Sequence, residues 1–327
     1  MYAQVKSIHL INYSGVLERN GVEYHFLKKR NWQILFPFQI HRYLQKLEPD
    51  IIVVHGLIFP WQILWLRSQL GSSVKLVLVH HAEKPLRDHK RLLQKLADTM
   101  IAAYFFNSMG LAQMWMEAGL IKNNSKIHEV MIGSSVFYPI DRSLSKTKTQ
   151  VQGSGIYLWV GSLDENKDPI TLVSAFRLFV KFHPQKKLYL IYQQDDLLEK
   201  VKSLITGCDQ IVLIGKVKNE ELSYWYNSVD YIISTSHYEG GGTAVCEGMS
   251  CGCIPILTKI PSFMMMTDYG KCGLLFTPGD VGDLCNALFK SLTLDLPEER
   301  KKVLGHFGEK LSNEAIVQKM MRVFKSI

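Results

Sequence analysis

Tyr231-Ile232-Ile233-Ser234-Thr235-Ser236-His237-Tyr238-Glu239-Gly240-Gly241-Gly242-Thr243-Ala244-Val245-Cys246-Glu247-Gly248-Met249 is the stretch from which the architecture can be read. Tyr231 to Ser234 is short, apolar and β-branched, which predicts a buried strand. Three glycines follow, and the residues from about Thr243 onward predict a helix. A strand, a glycine turn and a helix in this order bring exposed backbone N–H groups and a positive helix end to the carboxyl edge of a parallel sheet. That edge suits a phosphate or diphosphate, and glycine lets a ligand approach the backbone with no Cβ in the way. Glu239 precedes the helix and Glu247 lies just over one turn into it, so both carboxylates are expected to flank one ligand. Alone, the triplet reads more readily as a turn with one capping and one solvated glutamate.

A second loop of the same kind lies upstream. The strand Tyr157 to Val160 ends in Gly161-Ser162-Leu163-Asp164-Glu165-Asn166-Lys167-Asp168-Pro169, and Leu172, Ala175, Phe176 and Phe179 then repeat at helical spacing. A lysine on such a loop can meet a phosphate as a point charge. The two loops are expected to line one sheet edge.

Working outward, the same rhythm fills both halves of the chain. Strands are predicted at Ile156–Val160, Leu188–Tyr192, Ile211–Ile214, Tyr231–Ser234, Ile254–Leu257 and Leu274–Phe276, separated by amphipathic segments. In the first half they fall at Ile51–Val54, Lys75–Val79, Ile101–Phe106 and Ile127–Ile132, with alternating, more peripheral strands at Val5–Asn12 and Val22–Lys28. Continuous rather than alternating hydrophobicity predicts strands covered on both faces, hence parallel α/β sheets. Pro255 is expected to leave few backbone donors at the start of its strand. The polar run from Asp141 to Gly155 reads as a linker, dividing the chain into domains at 1–150 and 151–311, and Ser312–Ile327 reads as a final helix returning to the first domain.

Bulk properties narrow the class. With 327 residues, nearly half of them hydrophobic, the chain can bury the cores of two domains. The six cysteines lie between Cys208 and Cys285 without a pairing pattern, which fits a reduced compartment. The N-terminal residues show no signal-peptide h-region, and no apolar run is long enough to span a bilayer. The expected location is therefore the cytoplasm. The net charge of +8 is unevenly placed: residues 1–150 carry 19 Lys and Arg against 10 Asp and Glu, whereas residues 151–327 carry 19 against 20. Such an excess is either a solvated basic face or the mark of an anionic partner.

Val160-Gly161-Ser162-Leu163 through Lys167, then Glu239 and Glu247, Met249-Ser250-Cys251-Gly252-Cys253-Ile254-Pro255-Ile256, and Gly273-Leu274-Leu275-Phe276 before Pro278-Gly279-Asp280 resemble retaining glycosyltransferases of family 4, with the GT-B fold. The likeness covers roughly residues 155–290. It is looser in the first half, through Pro49 to Gly56, His80-His81, Asn107-Ser108 and Glu129 to Pro139. The resemblance implies two Rossmann-like domains facing a cleft and transfer of a sugar from a UDP- or GDP-sugar to a glycan or lipid-linked acceptor, with retention, in surface polysaccharide synthesis. By the same resemblance, Lys167 meets the diphosphate, Glu247 holds the ribose diol and Glu239 faces the donor sugar. Gly161, Ser162, Gly240, Gly241, Gly242 and Thr243 complete the donor site, and His81 or its neighbour His80 approaches the sugar from the first domain. Glu239, His81 and Lys167 form the expected catalytic set. No Asp-x-Asp motif is present, and neither metal nor cofactor is expected.

Two departures stand out. Ser162 occupies a position where the family often has arginine, and the family's first strand, glycine-rich loop and helix are not found, so the first domain is expected to lack one βα unit. Both leave open a protein that binds sugar nucleotide or a partner without transfer. Cys246, Cys251 and Cys253 lack a metal-binding spacing, and Met264-Met265-Met266, in the loop after Pro261, reads as packing or as a contact to an apolar acceptor. Lys28-Lys29-Arg30-Asn31-Trp32 is too little for a nucleic-acid site, so no nucleic-acid partner is expected. The basic first half is instead expected to touch an anionic membrane surface peripherally, at the inner membrane face.

Overall fold

The computed structural model describes residues 5–11, 13–28, 38–87 and 89–327. Three groups of strands organise it. The first comprises β1 (Val5–Ile11), β2 (Gly15–Arg19) and β3 (Val22–Lys28), in spatial order β1-β3-β2. β2 and β3 form an antiparallel hairpin whose turn, Asn20-Gly21, has both residues at positive φ, as a two-residue turn requires. The expected peripheral strands thus form a separate sheet with an additional strand, β2. Asn12, placed at the end of the first strand by the sequence reading, lies outside the described residues.

The second group follows α1 (Phe38–Lys46). It consists of β4 (Ile51–His55), α2 (Pro60–Gln69), β5 (Lys75–Val79), α3 (His89–Asp98), β6 (Ala103–Phe106), α4 (Met109–Glu117) and β7 (Ile127–Glu129). The strands are all parallel in the order β4-β5-β6-β7. Leu76 to Val79 and Ala103 to Phe106 are fully enclosed, as expected of strands with helices on both faces. β6 and β7 are shorter than their apolar runs, because Ile101, Val130 and Met131 are buried in the adjoining turns.

Beyond α5 (Arg142–Thr149) the rhythm restarts with β8 (Tyr157–Gly161), α6 (Pro169–Val180), β9 (Leu188–Tyr192), α7 (Leu198–Ile205), β10 (Ile211–Gly215) and α8 (Asn219–Ser228). It continues through β11 (Tyr231–Ser234), α9 (Thr243–Ser250), β12 (Ile254–Thr258), α10 (Pro261–Met266), β13 (Leu274–Phe276), α11 (Val281–Ser291), α12 (Leu296–His306) and α13 (Asn313–Ser326). The six parallel strands are ordered β10-β9-β8-β11-β12-β13. The chain winds outward from β8, then returns to place β11 on its other side, so the loops leaving β8 and β11 diverge and open a crevice at their carboxyl ends. Pro255 sits in β12 one residue ahead of the first β12–β13 pair, Ile256 with Leu274.

Two segments differ from expectation. The polar stretch read as a linker contains α5, because Asp141 caps it by accepting from Leu144 N at 2.7 Å, and Arg142 pairs with the buried Asp230 at 2.5 Å. Thr149 and Ser228 hydroxyls meet at 2.7 Å, so α5 docks on α8 of the six-stranded unit through polar groups rather than an apolar stripe. Met264 to Met266 belong to α10, not to a loop, and Met266 is enclosed beside Phe263 in the core. α13 lies against the four-stranded sheet, with Phe324 and Phe105 ring centroids 5.7 Å apart. Ser134 Oγ also donates to Leu311 O at 2.6 Å, and one continuous apolar cluster runs from Val77 and Phe105 to Val323 and on into the six-stranded sheet.

Candidate active site

The crevice between β8 and β11 is held open by loops bonded to each other. His237 N donates to Asn166 O at 2.8 Å, Asn166 Nδ2 to Tyr238 O at 3.0 Å, and Thr235 Oγ1 to Lys167 O at 2.6 Å. Asp168 adopts φ +47°, a conformation uncommon for a residue with a side chain. It is fixed there because one carboxylate oxygen caps α6 at Thr171 N (3.0 Å) while the other meets His237 Nε2 (3.1 Å). Backbone strain of this kind persists only where the surroundings determine it several times over.

Lys167 and Glu239, the two charged residues predicted to act together, form a direct ion pair. Ser236 Oγ donates to the same Glu239 oxygen at 2.8 Å, and Ser262 Oγ donates to the Glu239 carbonyl. Both side chains remain partly exposed and line a cleft of about 530 Å³. Gly161, Ser162, Gly240, Gly241, Gly242 and Thr243 line it as well, and so do His81 and Ala82 from the opposite domain. His81 is exposed, its Nε2 2.7 Å from His55 Nδ1, and its backbone N–H donates to Glu83 Oε2 at 2.6 Å. His80, by contrast, is wholly buried, stacked on Phe106, its Nε2 2.9 Å from the Glu83 carbonyl. Of the two histidines, His81 is the one that faces the cleft.

The glycines of the triplet have separate reasons to be glycine. A Cβ on Gly240 would sit 2.7 Å from Ala82 Cβ, at the point where the two domains touch. Tyr238 OH donates to Ala82 O at 3.1 Å beside it. Gly242 has φ +56°, and a Cβ there would lie 2.6 Å from Phe263. It is also the N-cap of α9 and brings no side-chain acceptor, so the first amides of that helix are left for a ligand.

Glu247 is placed differently from the others. It is half-buried on α9, is not among the residues lining the cleft, and its Oε2 accepts from Tyr226 OH at 2.8 Å. Burial pushes its carboxyl above the usual range, partly offset by that hydrogen bond. Cys246, Cys251 and Cys253 are enclosed, and burial pushes the Cys246 thiol up to about 12 and Cys251 to about 11, as expected of inert packing thiols. The far wall of the cleft, formed by Tyr192, Gln193, Gln194, Val217 and Leu222, was not predicted. Gln193 and Gln194 directly follow β9, so the same carboxyl-edge rule that found Lys167 could have found them.

Two Rossmann-like α/β units with their carboxyl edges facing one cleft define the GT-B fold, and solved structures agree. The sucrose-phosphate synthase of Thermosynechococcus elongatus superposes with a TM-score of 0.76 at 18% identity, covering 99% of this chain and 88% of that one. Anabaena Alr3699/HepE, in complex with UDP and glucose, gives 0.73 at 16% identity, covering 94% of this chain and 86% of its own. The family described as "Glycosyl transferases group 1" matches residues 141–309, more than half the chain, and the protein belongs to that family of glycosyltransferases. Among curated relatives, the O-antigen chain mannosyltransferase B of Escherichia coli is 28% identical over 153 residues, 45% of this chain and 39% of the relative. The mannosylfructose-phosphate synthase of Agrobacterium fabrum is 20% identical over 314 residues, 91% of this chain and 66% of the relative. The chain thus spans between two fifths and two thirds of the length of these relatives.

Proposed function

We propose that the protein transfers a hexosyl unit from a UDP- or GDP-sugar to a glycan or lipid-linked acceptor, with retention at the anomeric carbon. The observation that carries this reading is the placement of Lys167, Glu239 and the uncapped start of α9 on one cleft, opposite His81. A departing diphosphate gains from a lysine and from helix-end amides already aimed at it, and such preorganised charge is the largest single contribution in many enzymes. In this reading the diphosphate draws Lys167 away from Glu239, whose carboxylate then faces the oxocarbenium-like sugar. His81, held by His55 and Glu83, approaches from the other domain. Glu247, which sits behind the cleft lining with one oxygen on Tyr226, turns its other oxygen to the ribose diol in the role the family resemblance gives it. The acceptor hydroxyl gives its proton to the leaving phosphate on the same face, so no metal or cofactor is invoked.

The likeness to the O-antigen chain mannosyltransferase B of Escherichia coli supports an acceptor in surface polysaccharide synthesis. No helix among the described residues is long and apolar enough to cross a membrane. The basic first half supports peripheral contact with an anionic surface from the cytoplasmic side, and no nucleic-acid partner is proposed. Incubation with UDP- and GDP-sugars, with the anomeric configuration of product read by NMR, tests the proposal. Glu239→Gln is expected to lower turnover about a hundredfold or more, with an unchanged fold. Failure of every donor, or an inverted product, would contradict it. Ser162, which faces the cleft where relatives in the family often have a cation, favours a second reading, sugar-nucleotide binding without transfer. Donor binding with no product from any acceptor would select that reading.

A further inference from the structure

α3 is packed with its polar side inward. Gln94 is fully buried, and neither end of its amide has a hydrogen-bond partner among the described residues. Asp98, also buried, is held by Tyr104 OH at 3.0 Å and by Lys122 N at 3.2 Å. On the opposite side Leu92 is 66% exposed and Leu96 is 49% exposed, one helical turn apart. An amphipathic helix ordinarily does the reverse, burying its leucines and exposing its glutamine. The approach to this helix is rich in charge of one sign. From Lys84 to Lys95 the sequence carries five Lys and Arg and one carboxylate, Asp88. None of Lys84, Arg87, Lys90 and Lys95 makes an ion pair with a described carboxylate.

The helix that carries the stripe follows the site loop in the chain. The loop that carries His81 and Ala82 into the cleft runs directly into α3. Glu83 ties that loop to the one after β4, accepting from His81 N at 2.6 Å and Leu57 N at 3.2 Å. Immediately beyond Leu57, the apolar side chains Ile58, Phe59 and Trp61 are exposed in turn.

We propose that α3, with Leu92 and Leu96 on its outward face as apolar contacts and the exposed Lys84, Arg87 and Lys90 at its N-terminal approach as charges, docks the protein on an anionic lipid surface. Leucines insert at the headgroup boundary while the basic side chains meet lipid phosphates, the arrangement by which helices lie on rather than cross a bilayer. Docking there holds the first-domain edge of the cleft at the lipid surface, where an acceptor anchored by a lipid tail presents its head group. This rests on the peripheral contact proposed above and assigns it to one helix.

The test is co-sedimentation of the full chain with vesicles of phosphatidylcholine alone or mixed with phosphatidylglycerol, at low and high salt. Binding to the mixed vesicles only, weakened by salt and reduced about tenfold or more in Leu92→Glu/Leu96→Glu, is expected. Arg87→Ala/Lys90→Ala should weaken binding and flatten its salt dependence. Equal partitioning of the leucine variant, or no binding to either vesicle, overturns the proposal. So does a dimer in light scattering that the leucine substitutions dissolve, since a second copy would then cover the face. Thermal melting shows whether the variants remain folded. Nucleoside diphosphate binding in vesicle-free buffer reports on the donor site independently, so failure of docking and failure of the transferase reading are separate results.

Discussion

At Gly242 the chain needs a left-handed backbone and a vacant Cβ position at once, so this residue is the least replaceable of the triplet. Gly242→Ala is expected to lower stability by about 2–3 kcal/mol, the left-handed conformation and the contact with Phe263 each contributing; urea unfolding measures it. His41 makes a different kind of statement. It is buried, its Nδ1 has no partner among the described residues, and burial pushes it down to about 4. Because the unfolded chain binds the proton near pH 6.5 and the folded chain does not, stability is full above that value and falls as pH drops toward 4. The loss reaches on the order of 3 kcal/mol. His41→Phe should flatten this acid limb in melts taken between pH 7 and 4, and an unchanged limb would place the acid sensitivity elsewhere. Single residues also mark the limit of sequence reading at the site. Lys167, Glu239 and the glycines were legible from spacing. The pairing of Glu247 with Tyr226, and the choice of His81 over His80, depend on where α8 and β6 put Tyr226 and Phe106.

Among the elements, the buried strands were legible because enclosure on both faces leaves an unbroken apolar run. β2 and α5 were not, each for a physical reason. Every residue of β2 is exposed, so it carries no burial pattern, and only the Asn20-Gly21 turn betrays it. α5 docks through Asp141, Arg142 and Thr149, so its polarity mimics a linker. Arg142→Ala strands Asp230, which is otherwise held by Ile156 N at 3.0 Å. A loss of about 2–3 kcal/mol is expected, visible as a lower denaturation midpoint. α3 runs the other way: Gln94→Leu removes a buried amide with no partner and should raise stability by about 1–2 kcal/mol. A destabilised variant would mean that the buried amide makes a hydrogen bond in solution.

For the whole molecule, the four-stranded and six-stranded units meet the cleft from opposite sides, and α13 returns from the six-stranded unit to cover the four-stranded one. Phe324 against Phe105 is part of that cover, and Phe324→Ala is expected to cost about 2–3 kcal/mol without altering the donor wall. The central claim is that a nucleoside diphosphate binds where Lys167 and the start of α9 converge. Calorimetric titration of UDP and GDP into the wild-type chain and into Lys167→Ala tests it most directly. At least one nucleotide should bind the wild type, with the affinity of the variant lower by about tenfold or more, the worth of one charge-assisted contact. Binding that is indifferent to Lys167, or no binding of either nucleotide, would contradict the claim.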